Sequence, residues 1–142
     1  MTLVLLVAAF LRLYRLAEVP PGLGMDESWI AVEALNFGLY GAIPTPLIKV
    51  PELTDRMVRG LFLGLVGPYL FTVRFVTVLW GMLSIALTYQ AGRALLQGRP
   101  YRDTAGLVAA ATLTVMLSHM LMSRAVYRMM TLVTALATAI WL

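Results

Sequence analysis

The run from Thr104 to Met122 contains no Asp, Glu, Lys or Arg. Spanning a bilayer core takes about 20 mostly apolar residues. In hydrocarbon such a segment satisfies its own backbone N–H and C=O groups only as a helix. The run therefore predicts a membrane-spanning helix, and the rest of the chain agrees with it. Hydrophobic residues make up 61% of the 142 residues and charged residues 13%, against about 45–50% and about 25% in soluble domains. Mean hydropathy is +0.85. A soluble globule of this size covers much of its surface with polar groups, which this chain lacks. The same composition excludes intrinsic disorder. With no cysteine, a disulfide scaffold, a cysteine metal site and thiol chemistry are excluded too.

The expected class is all-α: a polytopic integral membrane helical bundle with four spans, the last one truncated. Span 1 covers residues 1–17. At about 1.5 Å per residue it reaches about 25 Å, with Arg12 and Arg15 snorkelling at its end. A signal peptide would carry its basic residues before the apolar stretch, not after it. Residues 18–70 form an outer loop with short juxtamembrane helices. There Pro20-Pro21-Gly22-Leu23-Gly24 breaks any helix. Asp26 stands where an N-cap would stand, and Glu27–Phe37 reads as a helix ended by Gly38. Leu53–Val66 reads as a second helix, charged in its first turns and apolar afterwards, lying in the membrane interface. Span 2 is 71–92, followed by a cytoplasmic loop at 93–103. Span 3 is 104–122, followed by an outer turn at 123–128. Residues 129–142 form an incomplete span 4, which makes the chain the N-terminal piece of something longer.

Ten Arg and one Lys against seven acids give a net charge of +4. These charges sit at the ends of apolar runs, not on a soluble face interleaved with aromatics, so no nucleic-acid partner is expected. A count of positive charges places the 18–70 loop in the cytoplasm. That count treats the arginines as free topology signals. Arginines gathered for an anionic ligand would mislead it.

Asp26-Glu27 is the sharpest chemical feature. Asp26 can cap a helix while Glu27 complements its dipole, or a carboxylate here can serve as general base or metal ligand. The two roles are compatible. Arg124 and Arg128, spaced i, i+4, share one helix side at a span boundary. They snorkel, or they grip a phosphate bidentately. Arg74 lies at a span end on the same side. His119 reads as a hydrogen-bonded packing residue inside span 3. Glu33 and Glu52 are available as second carboxylates. There is no P-loop, no GxGxxG and no His/Cys metal spacing.

The segment LRLYRLAEVPPGLGMDESWIAVEALNFG (Leu11–Gly38) resembles the start of polytopic glycosyltransferases that use lipid-phosphate-linked sugars. These are the dolichyl-phosphate-mannose protein mannosyltransferases and their bacterial relatives, including the aminoarabinose transferase of lipid A. GLVGPYLFTVRFVTVLWGMLSIALTYQAGRALL resembles their second span, and SHMLMSRAVYRMMTL their Ser-Arg turn before the fourth. The resemblance implies an inverting transfer of a sugar from a polyprenyl-phosphate donor to an acceptor protein or glycolipid. The reaction would take place at the outer face of a prokaryotic inner membrane, in a multi-pass protein surrounded by membrane lipids. It implies Asp26 as the catalytic carboxylate, Glu27 as its neighbour, and Arg74, Arg124 and Arg128 as phosphate contacts. Asp26 is also the candidate ligand for a divalent metal ion. Many relatives carry an Asp where this chain has Met129 or Met130, which leaves Arg128 as a substitute for metal charge. The alternatives are a non-catalytic membrane fragment and a subunit of a transporter or channel-like protein.

Residues 18–70 and 123–128 are expected to face outward. The chain has no native cysteine, so a single cysteine at Ala42 can be labelled by a membrane-impermeant maleimide in intact cells. Labelling only after the cytoplasm is opened would overturn the orientation.

Overall fold

The computed structural model describes residues 1–41, 50–127 and 129–142. Its described residues form seven α-helices and no strand. They are α1 (Thr2–Leu13), α2 (Met25–Tyr40), α3 (Val50–Val66), α4 (Leu70–Leu95), α5 (Arg102–Val115), α6 (Leu117–Arg124) and α7 (Met130–Trp141). The all-helical class is as expected. Among the described residues, helix α4 alone is long and apolar enough to cross a membrane, and α5 with α6 is so only if the bent pair is taken as one span. At 12 residues each, α1 and α7 fall short of the roughly 20 needed.

Helix α4 is the central post and packs against α1, α3, α5, α6 and α7. Its small residues set how near its neighbours come. A Cβ at Gly81 would lie 2.6 Å from the Ser123 side chain, and one at Gly106 of α5 would lie 2.7 Å from the Tyr89 carbonyl. Two apolar clusters fill the interior. Ala8, Ile85 and Ala110 join α1, α4 and α5. Ile30, Ala34, Leu63, Val73 and Val126 join α2, α3, α4 and the segment before α7.

Several boundaries differ from expectation: α3 begins at Val50 and not Leu53, α4 runs on to Leu95, and four further differences have a visible cause. Helix α1 stops at Leu13 and the chain turns from 14 onward, with Arg15 at φ 51. Helix α2 is capped by Gly24, not Asp26. The Glu27 carboxylate reaches back to accept the Gly24 N–H at 2.8 Å, which is one half of a capping box and starts the helix two residues early. Gly38 does not end α2. The helix runs on to Tyr40, and Gly41 at φ 65 terminates it, a left-handed turn that suits glycine. Finally, the expected span 104–122 is broken at Met116 (φ −62, ψ 115), and α5 and α6 meet at 61°. No proline or glycine stands there. The break falls where Arg12 inserts and bonds the Thr114 carbonyl at 3.3 Å, a recognised cause of sharp bends.

Gly38 is needed inside α2 because α3 crosses there at backbone contact. A Cβ on Gly38 would lie 2.2 Å from the Gly60 carbonyl oxygen, and one on Gly60 would lie 2.5 Å from that of Ala34. Ala34 and Gly38 on α2 face Gly60 and Gly64 on α3, paired small-xxx-small motifs of the kind membrane helices use to approach closely. Gly38→Ala must push backbone apart, since no flexible side chain is available to yield. Overpacking of this kind costs typically about 1–3 kcal/mol. Thermal unfolding in detergent should show a lowered Tm for Gly38→Ala. The milder Gly64→Ala, whose Cβ would sit 3.2 Å from the Gly38 oxygen, should melt closer to the parent protein.

Candidate functional site

The turn after α1 leaves backbone carbonyls without helical partners, and two arginines from distant helices collect them. Arg124, at the end of α6, donates from Nη1 to the carbonyls of Leu11 (2.7 Å) and Arg12 (3.3 Å), and from Nη2 to those of Tyr14 (2.8 Å) and Val19 (3.0 Å). Arg74, in the first turns of α4, donates from Nη1 to Leu16 (3.1 Å) and Pro20 (2.7 Å) and from Nη2 to Gly22. Both guanidiniums are buried. A planar fork with five N–H donors and no acceptor suits this gathering of carbonyls. The two residues expected to hold phosphate are thus committed to the 11–22 segment, just before the Asp-Glu pair. Arg128 lies outside the described residues.

Glu27 is committed as well. One carboxylate oxygen accepts the Gly24 N–H, and the other accepts the Val126 N–H at 2.7 Å. Arg74 stands 3.5 Å from the first oxygen. Glu27 thereby ties the start of α2 to the segment between α6 and α7. That tie brings opposite walls of a pocket of about 730 Å³ together, lined among others by Asp26, Glu27, Glu52, Val126 and Tyr127.

Asp26 differs from its neighbour. It is exposed and, among the described residues, has no hydrogen-bond or ion-pair partner. Its carboxylate stands in the first turn of α2, where the helix dipole favours the anion. Glu52 lines the same pocket and stands 3.5 Å from Arg56. Glu33 pairs with Arg56 on the α2–α3 side. The donor set does not suit a divalent cation. Each Glu27 oxygen already accepts a backbone N–H, Glu52 faces a guanidinium, and no three metal-ligating side chains converge among the described residues. Asp26 is left as one free carboxylate, short of the several oxygen ligands such ions take.

A buried polar chain, which the sequence marked only at His119, joins α1, α6 and α4. Arg12 donates from Nη2 to His119 Nδ1 at 2.9 Å. A guanidinium cannot accept, so Nδ1 is the bare nitrogen and Nε2 carries the proton. Nε2 then donates to Ser84 Oγ at 2.9 Å, which donates to the Gly81 carbonyl at 2.8 Å. His119 is neutral in this arrangement and serves to pack α6 against α4 and α1. Arg12, expected to snorkel, points inward and donates to the Thr114 carbonyl beside the α5–α6 break.

Comparison with protein families, with curated proteins and with solved structures finds no match to this chain.

Replacing Arg124 tests the carbonyl-gathering role. Lysine keeps the charge but loses the planar fork. Hydrogen bonds to charged groups contribute about 1.5–3 kcal/mol each, so Arg124→Lys should lower stability by at least about 2 kcal/mol. Protease cleavage within 14–22 should rise in the same variant. Unchanged melting and unchanged cleavage would show that other groups hold the turn.

Proposed function

We propose that the chain forms the catalytic-carboxylate region of an inverting membrane glycosyltransferase. Such an enzyme moves a sugar from a polyprenyl-phosphate donor to an acceptor at the outer face of a prokaryotic inner membrane. The observation that carries this reading is Asp26, a carboxylate in the first turn of α2 with no partner among the described residues, lining a pocket of about 730 Å³ whose neighbouring charged groups are themselves occupied. The resemblance of Leu11–Gly38 to the lipid-phosphate-sugar transferases supports it. In this reading the shorter apolar helices α1 and α7 complete a four-span bundle with α4 and the bent α5–α6 pair.

The chemistry asks little of the site beyond position and charge. The acceptor hydroxyl gives its proton to the Asp26 carboxylate. Its oxygen attacks the anomeric carbon from the face opposite the phosphate and forms the new C–O bond. The old bond from that carbon to the phosphate oxygen breaks, and its electron pair leaves with the lipid phosphate. Glu27 acts as a positioning residue, fixing the turn that presents Asp26. Arg74 and Arg124, whose guanidiniums stand at the turn just before the Asp-Glu pair, act through their field, which favours the developing phosphate anion.

Asp26 is not the helix cap, so Asp26→Asn removes charge without removing a structural bond. General-base contributions are typically about 10²–10⁴-fold. In the full-length protein Asp26→Asn should fold and insert normally yet lower sugar transfer by at least about 100-fold. The assay is transfer of a labelled sugar from polyprenyl phosphate in reconstituted membranes. Near-normal transfer would remove Asp26 from the chemistry.

A further inference from the structure

Helix α3 has its polarity reversed. Three of its four charged residues, Asp55, Arg56 and Arg59, are buried, at 5%, 7% and 1% exposure, while Met57, Leu61 and Leu65 stand 40%, 57% and 86% exposed. The three apolar residues are spaced i, i+4, i+8 and form one stripe along the helix. Each buried charge is answered from within the protein. Arg59 Nη2 holds both Asp55 oxygens at 2.7 and 2.8 Å and Thr77 Oγ1 at 3.1 Å, and its Nη1 donates to the Val73 carbonyl. Trp80 Nε1 donates to Asp55 at 3.0 Å. Arg56 pairs with Glu33 and Glu52.

A helix on a water-soluble protein turns its apolar stripe to the core and its charges outward. A helix lying in the membrane interface turns its charges to water. Helix α3 does neither, because its charges point at α2 and α4. Ionisable groups turned to the bundle interior and paired there, with apolar side chains outward, is the arrangement hydrocarbon favours. The stripe also adjoins the strongest span. Phe62 of α3 lies 6.0 Å, ring centre to ring centre, from Phe75 of α4, which stacks on the exposed Phe71 at 5.4 Å.

We propose that the Met57–Leu61–Leu65 face of α3 is a lipid-contact surface, seated against acyl chains beside α4. The inverted polarity of α3 carries this inference, and it does not depend on the sugar chemistry. It also moves the helix from the headgroup layer into the hydrocarbon.

The test uses the full-length protein in phosphatidylethanolamine/phosphatidylglycerol vesicles. Single cysteines at Leu61, Leu65 and, as a reference, the exposed Asp103 carry a nitroxide label. Leu61 and Leu65 are exposed positions, so the substitutions leave the core intact, and retained melting behaviour verifies this. Molecular oxygen, which concentrates in hydrocarbon, and a water-soluble nickel chelate report collision with the label. Leu61 and Leu65 should collide with oxygen in preference to the chelate, with Asp103 showing the opposite order. Chelate dominance at Leu61 and Leu65 would place α3 in water or headgroups and overturn the proposal. Poor access to both reagents would overturn it as well, by showing a protein partner on the stripe.

Discussion

Arginine fork against orphaned carbonyl is the interaction on which this architecture depends. An apolar chain that breaks its helices often has a specific difficulty. Every break frees carbonyls, and an apolar surrounding offers them no water. Arg124 and Arg74 resolve it for the turn after α1, and Arg12 does so for the break between α5 and α6. Each bond also spans a large sequence separation, so the cations that satisfy the backbone are also the ties between helices. Glu27 does the corresponding work for N–H donors, joining Gly24 to Val126. The pocket around Asp26 results from these ties.

Much of the helical pattern was legible because apolar runs and Pro/Gly punctuation are local signals. Helix α4 follows the expected span 2 closely, and the Asp55–Arg59 pair, one turn apart, forms as its spacing suggests. The errors have one physical source. Gly24 displaced Asp26 as cap because Glu27 reached backwards, a choice that turns on Val126 holding the other oxygen. Gly38 stayed helical because Gly60 lies against it. The span broke at Met116, where no proline or glycine stands, because Arg12 arrives from α1. In each case a partner distant in sequence decided a local question, and no window of neighbouring residues contains that partner. The Gly60-x-x-x-Gly64 and Gly24-x-x-Glu27 spacings were overlooked signals present in the sequence itself.

The candidate site shows the same division. The sequence singled out Asp26 and Glu27 together, but it could not tell which would be free. Only the fold separates them: Glu27 points inward between two backbone donors, while Asp26 points into the pocket. Likewise Arg74 and Arg124 were marked by charge at span ends, and the fold assigns that charge to carbonyls. Positive-charge counting is a poor guide here for a related reason. Arg12, Arg56, Arg59, Arg74 and Arg124 are all buried and have roles inside the bundle.

The bond from Val126 to Glu27 crosses 99 residues of chain, and those from Arg124 to the first turn cross between 105 and 113. A ribosome delivers the N-terminal helix long before these partners exist. During that interval the carbonyls after Leu11 have no guanidinium to meet and the carboxylate of Glu27 has only one of its two donors. The segment that presents Asp26 therefore acquires its final shape only when the sixth helix has been made and threaded into place. Assembly of the pocket is therefore completed only after Val126 has been made, 99 residues after the Glu27 that it joins.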